Sequence, residues 1–223
     1  MLTWSPPGRS FIKVAQESSD IGRIRYEEIA TSAIHVAYDP AEKPIFQGKY
    51  GRAQTLALLM SISFFESGYR KDVDLGLGSQ SRGDSGRSWC LVQIQLDKPN
   101  HDGKTKTRIL LTNSGYKFIY DPTFSRGWGG EDLVQDRTKC YRVGLRMARQ
   151  SFSACSRLPL EERLSAFASG KCNNPDGQAV SRSRVRLAQS WLARSRPPLP
   201  DSEVLNILNI SPIVSPEIPE LDL

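Results

Sequence analysis

The chain has 223 residues, 39% of them hydrophobic, enough for one well-filled domain with a tail. Thirty Lys and Arg against 24 Asp and Glu give a net charge of +6, so the surface should attract polyanions: nucleic acid, anionic lipid or a carboxylate-bearing wall polymer. No apolar run reaches the roughly 18 residues of a membrane span, and prolines interrupt the opening "LTWSPPGRSFIKVAQESS", so neither an anchor nor a signal peptide is expected.

In chain order, "SSDIGRIRYEEIATSAIHVAYDP" predicts a helix from about Ser18, with Ile21, Ile24, Ile29 and Ile34 at helical spacing and Pro40 as its stop. "GRAQTLALLMSISFFESGY" predicts a second, from about Arg52 to Ser67, marked by Leu56, Leu59, Ile62 and Phe65 and closed by Gly68. Residues 68–88 are glycine-rich and read as a long loop. "SWCLVQIQL" has the composition of a strand, and "KTKTRILLTNSGYKFIYD" reads as a β-hairpin. "EDLVQDRTKCYRVGLRMARQSF" opens acidic and closes basic, as the helix dipole favours, and predicts the longest helix. "PLEERLSAFASG" and "SRSRVRLAQSWLARS" predict two more before Pro197, Pro198 and Pro200 end regular structure. The fold class is therefore α+β, mainly helical, with a small sheet or hairpin and a Pro-rich C-terminal arm. The expected organisation is an N-terminal segment at 1–17, a domain at 18–195 and an extended arm at 196–223.

Within the second helix, positions 55, 59, 62 and 66 share a face, so Glu66 continues the apolar line of Leu59 and Ile62. A carboxyl there is desolvated, which favours its protonated form and suits general-acid chemistry. The alternative is a glutamate at a frayed helix end, or one paired with Arg70 or Lys71.

Three short stretches are similar to motifs of the lysozyme-like superfamily, in particular goose-type lysozymes and soluble lytic transglycosylases. "ES" at 66–67 resembles the Glu-Ser signature, "CLVQI" at 90–94 the Gly-Leu-Met-Gln signature, and "AFASG" at 166–170 the Ala-Tyr-Asn-Ala-Gly motif. The resemblance covers residues 52–192. It implies a lysozyme-like domain that cleaves the β-1,4 bond between N-acetylmuramic acid and N-acetylglucosamine in bacterial peptidoglycan. It makes Glu66 the general acid, with Ser67, Gln93 and Phe167 beside the substrate. "RGDSG" further resembles a Gly-Asp-x-Gly segment of goose-type lysozymes, which makes Asp84 a candidate second carboxylate; the other reading of Asp84 is a turn-forming residue. The chain departs from the pattern at Cys90 for glycine, Val92 for methionine, Phe167 for tyrosine and Gln95 for a second aspartate. Muramidase or transglycosylase, the class needs no cofactor. Without a signal peptide the expected setting is a phage virion or lysis protein acting at the cell wall or periplasm, or a bacterial enzyme exported by another route. The C-terminal arm is then available for other virion proteins.

The rival readings are a virion component with this fold and no activity, and a basic nucleic-acid-binding module. For the latter, "SRSRVRLAQSWLARSR" supplies Arg182, Arg184, Arg186, Arg194 and Arg196, which helical spacing distributes around the outside. Asp72, Asp74 and Asp84 lack the EF-hand pattern, so no metal is expected, and His35 on an apolar helix reads as a core residue. Cys90, Cys140, Cys155 and Cys172 lack zinc-site spacing and are two disulfides or four buried thiols. Of three pairings, Cys90–Cys140 and Cys155–Cys172 are expected, the first joining the cleft strand to a long helix and the second bracketing a short one.

Overall fold

The computed structural model describes residues 17–78, 81–113, 115–194 and 198–209. It is mainly helical, with two small antiparallel strand pairs. Most of the N-terminal segment and the last part of the arm lie outside the described residues.

Helix α1 (Ser19–Tyr38) begins where Ser18 Oγ accepts a hydrogen bond from the Ile21 N–H at 3.3 Å, an N-cap. Its buried face differs from the expected isoleucine line. Ile21 and Ile24 are 56% and 58% exposed, while Tyr26, Ile29, Ala33, Val36 and Ala37 are buried. The stripe that packs follows the helical period through small residues and one tyrosine. His35, expected in the core, is exposed.

Helix α2 (Gly51–Ser67) ends as expected at Gly68, whose left-handed φ of 57° closes the last turn with a hydrogen bond to the Phe64 carbonyl. Its start is capped from far away in the sequence. Asp201 accepts from the N–H groups of Arg52 at 2.8 Å and Ala53 at 3.3 Å. The region expected as an extended arm therefore contains a helix, the last in chain order among the described residues, over Asp201–Ile207, and its first residue is anchored to the domain. Phe65, expected on the packed side of α2, is largely exposed.

The glycine-rich loop holds a short helix α3 (Lys71–Asp74) and a tight turn, Gly83–Gly86, in which Asp84 and Ser85 are both left-handed. "SWCLVQIQL" is not one strand but a miniature hairpin. Strands β1 (Ser88–Trp89) and β2 (Ile94–Gln95) pair Ser88 with Gln95 and Trp89 with Ile94, leaving Cys90 to Gln93 as the turn. The second hairpin is as expected: β3 (Thr107–Leu111) and β4 (Tyr116–Tyr120) pair Ile109 with Phe118.

The expected longest helix is two helices, α4 (Gly130–Gln135) and α5 (Arg137–Ala154). Asp136 breaks them: its backbone is extended, and its carboxylate accepts from the N–H groups of Thr138 and Lys139 to cap α5. Both are shorter than α1. Two glycines let these helices meet the small hairpin. A Cβ at Gly130 would lie 2.0 Å from Trp89 Cδ2, and one at Gly144 would lie 2.9 Å from Val92 Cγ1.

After α6 (Ser165–Ser169), helix α7 (Pro175–Arg194) begins earlier than expected, with proline in its first turn and Asn174 Oδ1 accepting from the Gly177 N–H. α7 packs on α2, where Ser61 Oγ donates to the Arg184 carbonyl at 2.7 Å and Phe64 meets Trp191 edge-to-face. The helix at Asp201–Ile207 is α8. Among the described residues, no helix is long and apolar enough to cross a membrane.

Both expected disulfides form, Cys90–Cys140 and Cys155–Cys172, with sequence separations of 50 and 17. By loop-closure entropy the longer one stabilises by about 4 kcal/mol and the shorter by about 3 kcal/mol. Replacing Cys90 and Cys140 by serine should therefore lower the melting temperature more than replacing Cys155 and Cys172. Calorimetry of the two double variants checks the order, and equal shifts would show that loop length does not govern it.

Candidate functional site

Glu66 lies one residue before the end of α2, on the face that buries Thr55, Leu59 and Ile62. Its side chain is 22% exposed. Among the described residues, Glu66 pairs with neither Arg70 nor Lys71. Arg70 bonds Asp72, and Glu66 Oε1 accepts from Arg184 Nη2 at 2.5 Å. Arg184 was expected on the outside of a basic helix, but its side chain is only 8% exposed and its guanidinium lies 5.7 Å from the centre of the Phe167 ring. Arg184 Nε and Nη1 are buried and have no hydrogen-bond partner among the described residues.

The end of α2 faces a cleft of 840 Å³. Its walls are the turn bearing Asp84, the β1–β2 hairpin with Gln93 and Gln95, the β4 aromatics Tyr116 and Phe118, Met147 of α5, and the segment around Phe167. Asp84 is exposed, and its Oδ2 accepts from Ser88 Oγ at 2.6 Å. Gln93 lines the cleft with its amide held at both ends: Oε1 accepts from the Gly83 N–H and Nε2 donates to the Cys90 carbonyl. It thereby ties the turn that carries Asp84 to the hairpin.

Ser67 differs from the expectation that it stands beside the substrate. It is buried, is not among the cleft-lining residues, donates to the Ser63 carbonyl at 2.6 Å and accepts from the Tyr69 N–H. Its hydroxyl secures the end of α2 and so supports Glu66 through the backbone. Glu66, Asp84, Gln93 and Phe167 thus share the cleft, and Ser67 does not.

Sequence reading missed Arg184, Tyr116 and Phe118. Arg184 was legible in principle, because Ser181, Arg184, Val185, Ala188 and Trp191 recur at helical spacing and form the buried face of α7. Of the other arginines there, Arg182 bonds Glu162 and Arg186 bonds Glu161. Asp72 and Asp74 are likewise engaged, by Arg70 and by Arg25 with Arg137. Among the described residues, no group of three or more His, Cys, Asp or Glu side chains is placed to hold a metal ion.

Burial disfavours the charged form of each member of the central pair. It raises the Glu66 carboxyl above its ordinary 4.5, against the opposing pull of Arg184, with a further upward push from the negative charge of Asp84. It lowers the Arg184 guanidinium, against the opposing effect of Glu66. The folded state therefore holds the Glu66 proton more tightly than the unfolded chain does. This stabilising contribution is present below the ordinary carboxyl value and is lost as pH rises through the folded value.

The chain matches no family model, no curated protein and no solved structure. Its chemistry is read from the geometry of the cleft.

A carboxyl-detected NMR titration should place Glu66 above the ordinary glutamate value. Arg184→Met should move it higher still, because it removes the cation and keeps the desolvation. A downward move in that variant would mean that Arg184 does not stabilise the carboxylate.

Proposed function

We propose that the protein is a glycosidase that cleaves the β-1,4 bond between N-acetylmuramic acid and N-acetylglucosamine in bacterial peptidoglycan, with Glu66 as general acid. The observation that carries this reading is a desolvated glutamate whose carboxyl is raised above its ordinary value, placed in the wall of a cleft that a second, exposed carboxylate, Asp84, also lines. The resemblance of the Glu66, Gln93 and Phe167 segments to lysozyme-like motifs supports it. The wall polymer brings the enzyme to the periplasmic or outer face of a bacterium, in keeping with a phage virion or lysis protein.

In the reaction, protonated Glu66 delivers its proton to the glycosidic oxygen as the bond from that oxygen to the anomeric carbon breaks. Asp84 takes a proton from the water that attacks the opposite face of the sugar, so the product is inverted. Its solvent access and its hydrogen bond from Ser88 suit a carboxylate that orients water. The lytic-transglycosylase variant uses no water: the muramic 6-hydroxyl attacks the anomeric carbon, and Glu66 acts first as acid and then as base.

One observation favours a second reading, a virion protein that binds wall glycan through this cleft without cleaving it. Arg184 engages Glu66 directly, and a guanidinium on the carboxylate favours the ionised form, which has no proton to give.

Purified cell walls distinguish these readings. On the glycosidase reading the suspension clears, and Glu66→Gln reduces the rate by about two to four orders of magnitude while the fold is kept. Wall binding without clearing would establish the second reading. Mass spectrometry of the released fragments tests Asp84. Hydrolysis leaves reducing ends, and Asp84→Asn should then slow release by about two orders of magnitude or more. Anhydro ends, one water lighter, together with an unchanged rate in Asp84→Asn, would make Asp84 a turn residue.

A further inference from the structure

A second hollow, of 470 Å³, adjoins the cleft and is lined by Thr112, Gly115, Tyr116, Arg146, Arg149 and Gln150, among others. Tyr116 borders both spaces, so they meet along β4. Their charges are opposite. The cleft presents the carboxyl groups of Glu66 and Asp84, whereas the charged side chains lining the hollow are arginines.

These arginines differ in how far they are already matched. Arg146 is held by Glu42, 2.6 Å away, and by the carbonyls of Thr112 and Gly115, so it fastens the hairpin turn to α5. The neighbouring Arg142 reaches Asp39 at 2.6 Å. Arg149 donates to the Lys43 carbonyl, but its contact with Glu42 is 3.6 Å. Three guanidinium groups thus share two carboxylates; Arg142 and Arg146 each have a carboxylate at 2.6 Å, whereas the nearest to Arg149 is at 3.6 Å. Burial disfavours its charged form, so an incoming anion would restore part of the lost solvation.

We propose that this hollow is a carboxylate subsite, in which Arg149 and Gln150 hold a free carboxylate of the short peptide carried by the wall glycan next to the sugar in the cleft. The inference rests on the peptidoglycan reading above and adds that the peptide is recognised together with the glycan. The segregation of charge supports this occupant. A cleft lined by Glu66 and Asp84 suits a neutral sugar pair, and the basic hollow that shares Tyr116 with it suits the anionic substituent of the same polymer.

The test compares wall glycan carrying its peptides with the same glycan stripped of them by an amidase and with the lactyl carboxylates thereby exposed capped as methyl amides. The wild-type protein should show a kcat/KM about tenfold higher on the peptide-bearing strands, the effect of one charge-assisted hydrogen bond. Arg149→Met and Gln150→Glu should each bring the ratio of the two substrates towards one. Gln150 is exposed, so Gln150→Glu keeps the comparison decisive even where Arg149→Met does not fold. Equal kcat/KM values for wild type, or a ratio that neither variant moves, would overturn the subsite and leave the glycosidase reading standing. Failure to cleave either strand would overturn that reading and the subsite with it.

Discussion

The hydrogen-bonded ion pair between Glu66 and Arg184 fixes both the candidate site and the packing of its two principal helices. An ionised carboxylate or guanidinium moved alone into a protein interior costs several kcal/mol, so each of these groups depends on the other. Arg184 is held twice by α2: its side chain meets Glu66, and its carbonyl accepts from Ser61. That double attachment sets the register of α7 against α2. The orientation of Glu66 therefore follows from a helix pair rather than from a loop, and this is how a reacting group is kept in one geometry.

The same device recurs through the molecule. Asp74, almost fully buried, accepts from Arg25 and from Arg137, which joins α1 and α5 to the loop after α2. Glu42, also buried, draws in Arg146. Arg108 bonds Glu131 and Asp132 and so attaches β3 to the start of α4. Removing one partner of such a buried pair costs about 3–5 kcal/mol, because it strands the other charge. Such pairs cancel their own charges, so they take up many of the arginines and leave the net charge of +6 unchanged.

The elements legible in the sequence were those whose signals lie within a few residues. Ser18 begins α1, Gly68 ends α2, and the alternating run after Lys104 forms a hairpin, because caps and turns are local chemistry. Glu66 was legible for a related reason, since one helical period links it to Leu59 and Ile62. The errors have a different origin. The isoleucines at 21 and 24 outweighed Tyr26, Ala33 and Ala37 by hydrophobicity, although the latter complete the helical stripe. Asp136 lies inside the run that predicts one long helix, whereas its side chain caps the second of two helices. The capping of α2 by Asp201, across 149 positions, has no local signal. Neither has the pairing of Glu66 with Arg184, across 118 positions.

The remaining wall of the cleft is built against backbone preference. Asp84, Ser85, Cys90 and Gln93 all have φ between 51° and 59°, and none is glycine. For residues with a Cβ this conformation costs roughly 1–2 kcal/mol each, so something must hold it. The Cys90–Cys140 disulfide fixes the first residue of the hairpin turn to α5, and the Gln93 amide spans from the Cys90 carbonyl to the Gly83 N–H. Ser88 then holds the Asp84 carboxylate. A cysteine can occupy a position where the resemblance leads one to expect glycine, because the covalent link secures a conformation that glycine would adopt freely. The two carboxyl groups facing the cleft are consequently held by separate means: Glu66 by a helix pair and a buried ion pair, Asp84 by a strained turn tied through Gln93 and a disulfide to α5. Their separation depends on how α5 sits relative to α2, and both helices pack into the one core that contains Leu59, Ile62, Tyr141 and Leu145.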